Sequence, residues 1–476
     1  MASPLQEPID HLIILPFEAW GELLGRVWLQ VEMRLTPKLI GHVRALCVLA
    51  ARLVQARPLT ITFFTTVDMY DRIDAELNRN FPDDKSTLKS SHIRLIAIRS
   101  EGQNPLNMQA FVAVFPGVYR ALVDEEPITC IKTGRTLPGV SAPNAAILDM
   151  FLLPSLTHIR SLSKKSVKIF CWISCAAYAA GGLVHVILQG PDGDLLKMME
   201  SISAQTGKPL EEVATEILDG ARGIVGKVPG LPAMYDYEKE PQKMIIDMSV
   251  GGVFQLNATN YAAFNSNEDI DGLSSEMSFG SFFWSTEPEK IWAFLDVLLE
   301  KNVPFILSHG SPFAVVPDEI LAKFKAGGLG LLTRWAPQQV VLTHPAIGWF
   351  VTHAGFNSVI ESIVAGVPMI CWPYQAEQPM NAAHLTTNLD VAYELIEVRT
   401  GERGLQPIHR LGRAPIGTVQ AVREEATLVL DKAFGEDGES KRANILKLRE
   451  QVLTAWDVGG SGHRDLKSLR DAIRAA

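Results

Sequence analysis

Short apolar runs alternate along the chain with longer stretches in which apolar residues recur every three or four positions. Residues 11–17 (HLIILPF) form an apolar run predicted as a buried strand. Residues 45–55 place Leu46, Leu49, Ala50 and Leu53 on one helical face. Residues 59–65 (LTITFFT) are β-branched and aromatic, as a strand requires. Strand, helix, strand is a βαβ unit, and it predicts a parallel sheet. Residues 93–98 and 145–151 are further strand candidates. The second half repeats the alternation. Residues 277–281 read as a short strand end, and Thr286 with Glu289 fits a capping box around Pro288. Ile291, Phe294, Leu295, Leu298 and Leu299 then follow helical spacing. Residues 303–307, 349–352 and 369–372 read as strands. A helix over about 357–365 is closed by Gly366 and Pro368.

This pattern predicts an α/β protein with two Rossmann-like domains facing each other. The Pro229-Gly230 turn and the polar stretch 265–275 bracket the linker region. The expected organisation is an N-terminal domain over 1–250, a linker over 251–276 and a C-terminal domain over 277–440. Charged, amphipathic helices over 441–476 are expected to pack back toward the N-terminal domain. A length of 476 residues suits two to three domains of about 150 residues each.

The net charge of −9 argues against a nucleic-acid partner, which needs a basic face. The five cysteines are too few for a disulfide scaffold and indicate reduced thiols in a cytoplasmic protein. Cys171 and Cys175 lack the second pair that a zinc site needs. The start, MASPLQEPIDHLIILPF, is acidic before its apolar run, unlike a secretory signal. Residues 169–189 carry no formal charge, but Ser174, Gly181, Gly182 and His185 interrupt them. They read as a buried strand, a glycine turn and a second apolar segment rather than as a transmembrane helix.

The segment from Trp335 to Gln378, WAPQQVVLTHPAIGWFVTHAGFNSVIESIVAGVPMICWPYQAEQ, is the richest in candidate chemistry. His353, Gly355, Asn357 and Ser358 fall at a strand's carboxyl end where a helix begins. Open α/β sheets bind ligands at that edge. The helix start offers free N–H groups and a partial positive charge, which suit phosphate. Gly355 allows close backbone approach, and His353, Asn357 and Ser358 add hydrogen-bond donors. Glu361, one turn on, suits ribose hydroxyls, Trp335 suits a flat base, and Glu377 and Gln378 suit sugar hydroxyls. His344 and Trp372 read as structural residues. Two D-x-D strings, Asp192-Gly193-Asp194 and Asp269-Ile270-Asp271, read as loop residues rather than a metal site.

This segment resembles the donor-binding signature of family 1 glycosyltransferases, the UDP-glycosyltransferases. The match includes W-x-P-Q from Trp335, V-L-x-H ending at His344, T-H-x-G-x-N-S from Thr352 to Ser358, Glu361, G-V-P, W-P and the closing E-Q. The resemblance implies the two-domain GT-B fold, a UDP-sugar donor, inversion at the anomeric carbon and no metal. It implies that Trp335, with Ala336 beside it, stacks on uracil and that Gln338 lies beside the nucleoside. It assigns Glu361 to the ribose, His353, Gly355, Asn357 and Ser358 to the diphosphate, and Glu377 and Gln378 to the sugar. Ser281, in S-F-G-S, resembles the family's second phosphate contact. Phe356 departs from the Trp that plant members carry, which leaves the sugar preference open.

Inverting transfer needs a general base, and a histidine held by a carboxylate serves near neutral pH. The family places that histidine in a G-H pair after the first strand. Here Gly41-His42 comes 20 residues after Gly21, and removing residues 22–41 would join PFEAWG directly to HVRALCVLAARL. Residues 22–41 therefore read as an insertion, and residues 251–276 as an aberrant connection. His42 is the base candidate. His11 is a weaker competitor, because it precedes its strand. Asp149, in AAILDMF, is the orienting carboxylate candidate, with a helix cap as its alternative role. The expected activity is transfer of a hexose, glucose by analogy, to a hydroxyl of a small lipophilic acceptor. The competing expectation is an inactive UDP-sugar-binding homologue whose histidine the insertion displaces. A dehydrogenase is disfavoured, because no G-x-G-x-x-G follows the first strand.

Overall fold

The computed structural model describes all residues except 1–9, 17–40, 82–85, 100–107, 150–151, 153, 174, 177–194, 211, 214–215, 217–222, 229, 244–271, 275–282, 312, 335, 337 and 475–476. The chain divides into two compact units. One comprises 1–174, 257–276 and 456–476, and the other 175–256 and 277–455. The second unit resumes at 277, as in the expected division, whereas the other limits fall at 174, 256 and 455 rather than at 250 and 440. Residues 175–250 belong with the second unit, and the final helix belongs with the first.

The first unit is built on six parallel strands. In chain order they are β1 (His11–Leu15), β2 (Thr60–Thr66), β3 (Ile93–Arg99), β4 (Ala145–Asp149), β5 (Lys168–Trp172) and β6 (Gly272–Ser274). Their order in the sheet is β6-β5-β4-β1-β2-β3. β6 falls within the stretch expected to be linker, and it pairs Gly272 with Phe170 at the sheet edge. The alternation along β1 explains the layering. Leu12 and Ile14 enter one core with Leu46, Leu53 and Phe63, whereas Ile13 and Leu15 enter the other with Phe64, Phe115 and Ile159. Helix α1 (Gly41–Ala56) supplies Val43, Leu46, Ala50 and Leu53 to the first layer. Helices α2 (Met108–Val123) and α3 (Ser155–Leu162) cover the second. Both faces are therefore apolar, as a parallel sheet requires.

The second unit holds two smaller parallel groups. β7 (Phe305–Ser308) pairs with β8 (Gly330–Thr333). β9 (Phe350–Thr352) pairs with β10 (Met369–Cys371), which pairs with β11 (Ala392–Glu394). The strand expected over 277–281 lies outside the described residues. Helix α4 (Glu289–Glu300) starts directly after Pro288, and no side chain caps it. The Thr286 capping box is thus not formed. Thr286 instead donates to the Lys243 carbonyl at 3.4 Å, and the Ser285 hydroxyl accepts from the Glu287 amide at 3.1 Å.

Helix α5 (Phe356–Ala365) ends at Gly366, whose φ of 76° is the left-handed conformation expected of that glycine. Helix α6 (Gln378–Thr387) follows β10, and helix α7 (Glu436–Leu453) packs on α5. The final helix, α8 (Ser461–Arg474), lays Leu466, Leu469 and Ile473 on the first unit's core. Its last carbonyls are satisfied by Asn144 Nδ2 to Ile473 at 3.3 Å and Lys168 Nζ to Ala472 at 3.1 Å. Among the described residues no helix is long and apolar enough to cross a membrane.

Candidate active site

In the first unit, strand order reverses at β1, whose neighbours are β4 and β2. The carboxyl edge at such a reversal is where open parallel sheets take ligands. Asp149 is the last residue of β4, fully buried and in register with Trp172. It sits one residue past Leu148, the partner of Leu15 at the end of β1. The next helix, α3, starts after Pro154, so Asp149 does not cap it. Burial, with the Asp149 charge adding to it, pushes the Cys171 thiol up to about 12. Helix α1 leads from the carboxyl edge back to the start of β2, so its first turn lies at the edge where Asp149 sits. His42 is its second residue, and the His42 side chain lies outside the described residues, as do residues 22–40.

His11 lies at the other edge and is fully engaged. Nδ1–H donates to the Ser141 carbonyl at 2.6 Å, which leaves Nε2 to accept from the Thr62 hydroxyl at 2.8 Å. Burial pushes its pKa down to about 4. It is a satisfied core histidine.

The second unit gathers most of the candidate donor-site residues at the carboxyl ends of β9 and β10. The turn from β9 into α5 runs through Ala354, at φ 65°, and Gly355, the N-cap. The turn from β10 into α6 runs through Ala376, at φ 59°. Two non-glycine residues in the left-handed region, one in each turn, are backbone strain held by the surrounding packing. Asn381 on α6 helps to hold it, donating to the Ala354 carbonyl at 2.9 Å.

The imidazole of His353 packs over Gly355. A Cβ on Gly355 would lie 2.3 Å from His353 Nε2. That nitrogen is buried and has no hydrogen-bond partner. Burial pushes the His353 pKa down to about 4, so the ring is neutral at pH 7. Phe283 lies 6.0 Å from it and stacks on Tyr374 at 5.7 Å.

Glu377 and Gln378 are completely buried. Glu377 Oε1 accepts from the Phe356 amide at the start of α5, at 3.3 Å, while Oε2 has no partner. Burial raises its pKa to about 7, against the lowering effect of backbone N–H groups. Gln378 Oε1 accepts from the Tyr374 and Gln375 amides at 2.9 and 3.3 Å, which leaves Nε2 buried and unpartnered.

Glu361, one turn into α5, accepts from Gln338 Nε2 at 2.7 Å and Gln339 Nε2 at 2.9 Å. Gln338 also reaches the Ser358 hydroxyl at 3.3 Å. Asn357 lies in the first turn of α5, half-buried, and Ala336 lies beside the short helix Gln338–Leu342. Trp335 and Ser281 lie outside the described residues, as do both D-x-D strings. Trp372 is core, edge-on to Phe294, and His344 Nδ1 accepts from the Ala346 amide at 3.2 Å. Sequence reasoning missed Gln375, whose amide oxygen is also buried without a partner. Lying between the W-P and E-Q signature positions, it had no motif to mark it.

Residues 277–400 match the family model for UDP-glucuronosyl and UDP-glucosyl transferases. A UDP-glycosyltransferase, eriJ, from Hericium erinaceus is 29% identical over 402 residues, which cover 70% of this chain and 79% of that protein. Over residues 277–400 the chain matches the UDP-glycosyltransferase family, and the relative it resembles over most of its length is a UDP-glycosyltransferase. The chain is a glycosyltransferase that moves a sugar from a UDP-sugar to small acceptors. A hydroquinone glucosyltransferase from Rauvolfia serpentina is 32% identical over 228 residues, 48% of this chain and 44% of that protein. Among solved structures, a UGT from Siraitia grosvenorii in complex with UDP matches with TM-score 0.60 and 17% identity, over 98% of this chain and 100% of that one. Phytolacca americana UGT2, complexed with UDP-2-fluoro-glucose and pterostilbene, matches with TM-score 0.58 and 16% identity at the same coverage. The fold is GT-B.

Proposed function

We propose that this glycosyltransferase is an inverting, metal-independent, cytoplasmic enzyme that transfers glucose from UDP-glucose to a hydroxyl of a small lipophilic acceptor. The observation that carries this reading is the group of buried, unpartnered polar atoms at the ends of β9 and β10: His353 Nε2, Glu377 Oε2 and Gln378 Nε2. Each such atom costs about 1–3 kcal/mol while unsatisfied, so the site is organised for a polar ligand. The α5 N-terminus and the neutral His353 are suited to the diphosphate, where the helix offers N–H groups and a partial positive charge. Glu361, held by Gln338 and Gln339, is suited to two ribose hydroxyls. The glucose preference draws on the Rauvolfia relative's name. The lipophilic phenol draws on the pterostilbene complex.

In the proposed reaction His42 removes the acceptor hydroxyl proton, and Asp149 stabilises the imidazolium that forms. The acceptor oxygen bonds to the anomeric carbon as the bond to the β-phosphate oxygen breaks. UDP leaves with that electron pair, and its developing charge is met by the α5 N-terminus and His353. General-base catalysis of this kind contributes about 10²–10⁴-fold. The test is His42→Ala in the full chain. The reading expects turnover to fall by at least 10²-fold with UDP affinity unchanged. Near-normal turnover would remove His42 from the role. UDP binding without turnover in the unmodified chain, for every acceptor tried, would favour the inactive homologue.

A further inference from the structure

We propose that Gln375 is a specificity-determining contact for the transferred sugar, its side-chain amide oxygen accepting a hydrogen bond from one hexose hydroxyl. The proposal rests on the donor-site reading above and extends it to a residue outside the signature.

Gln375 lies in the turn between β10 and α6, next to Ala376 with its left-handed backbone. Its amide N–H donates to Gln378 Oε1 at 3.3 Å, and its carbonyl accepts from the Gln378 amide at 3.3 Å. These two bonds bind Gln375 and Gln378 into one closed turn. They also fix the Gln378 amide, because its oxygen is committed to main-chain donors and its Nε2 is left open. The turn therefore carries three buried orphans within four positions: Gln375 Oε1, Glu377 Oε2 and Gln378 Nε2. Glu377 and Gln378 are wholly buried, so water does not satisfy them in bulk.

The chemistry of the three atoms selects the ligand. Gln375 Oε1 accepts, Gln378 Nε2 donates, and Glu377 Oε2 accepts when ionised and donates when protonated. A diphosphate ionised at neutral pH offers only acceptor oxygens, so it leaves Gln375 Oε1 unpaired. A ring bearing several hydroxyls both donates and accepts, and it answers all three. A site built to hydrogen-bond a hydroxyl rejects the analogue lacking it, because its own buried group is then stranded. Gln375 is thereby predicted to read one hydroxyl position of the hexose.

The experiment uses the full-length protein with UDP, UDP-glucose and the 2-, 3-, 4- and 6-deoxy analogues of UDP-glucose, each measured by calorimetry. Gln375→Met keeps the side-chain length and removes the acceptor, and Gln375→Ala serves if Met packs badly. The unmodified protein is expected to bind one deoxy analogue about 3–10-fold more weakly on account of this contact. Gln375→Met is expected to lose that discrimination at one position only, to weaken UDP-glucose by a similar factor, and to bind UDP as before. Discrimination among all four analogues that is the same in the variant and the unmodified protein would overturn the proposal. Failure of the unmodified protein to bind UDP would instead overturn the donor-site reading on which it stands.

Discussion

Replacing Gly355 by Ala isolates one contact of the proposed donor site. The Gly355 backbone is extended, at φ −63° and ψ 142°, which alanine adopts freely. The substitution therefore carries no conformational penalty of its own, and its whole effect is steric. The new Cβ would lie 2.3 Å from His353 Nε2 and 3.1 Å from the two flanking ring carbons. A closest tolerable approach of about 3.0 Å requires the ring to retreat by roughly 0.7 Å. The imidazole stands 6.0 Å from Phe283, so the displacement disturbs the packing around it. Forcing an extra methyl into a packed site costs about 1–3 kcal/mol. A misplacement approaching 1 Å costs about 10²-fold in rate where geometry matters. The expected outcome is a 10–100-fold loss in kcat/KM for UDP-glucose and a matching loss of UDP affinity by calorimetry, with the chain still folded by circular dichroism. A variant that binds UDP as tightly as the unmodified protein would refute the placement of His353 at the diphosphate.

Other outcomes follow from the same structure. Removing the Glu361 carboxylate with Glu361→Ala should weaken UDP binding about 10-fold or more and weaken uracil binding hardly at all; calorimetry with both ligands checks this. His11 and His353 are held neutral with pKa values near 4, below the ordinary 6.5, so the unfolded chain takes up protons first as pH falls. Stability should therefore be fully present above pH 6.5 and fall toward pH 4, by about 1.4 kcal/mol per pH unit for each histidine, as thermal melts across that range would reveal. Glu425 is pushed up to about 7, by burial and then by the charges of Glu397 and Glu394, although it accepts from the Ile396 and Glu397 amides. Its ionisation costs stability as pH rises from 4.5 through 7, so Glu425→Gln should gain on the unmodified protein across that interval; parallel melting curves would contradict it.

Much of the fold was legible because burial on both faces of a parallel sheet writes long apolar runs. HLIIL, TITFF and AAILD all became central strands, and Gly366 closed its helix as its position required. The capping box was misread because Pro288 itself opens the helix, while Thr286 turns to the Lys243 carbonyl. Composition marks turns, not contacts, so it does not assign a segment to a compact unit. Nothing in the sequence of 175–250 says which core it joins. In the proposed site, the signature singled out His353, Glu361, Glu377 and Gln378, whose residue types suit the chemistry. It could not reveal which of their atoms stay unpaired. That depends on Gln378 spending its oxygen on two backbone amides, a consequence of the turn at Ala376. Gln375 was invisible for the same reason: a lone glutamine in a loop has no meaning until its oxygen is found buried.

The most direct test of the central claim is UDP release by the purified full-length protein, given UDP-glucose and a panel of phenols, sterols and flavonoids. The account predicts UDP release that requires both donor and acceptor, produces the β-configured glucoside and disappears with His42→Ala. Tight UDP-glucose binding with no glycoside formed from any acceptor would contradict it.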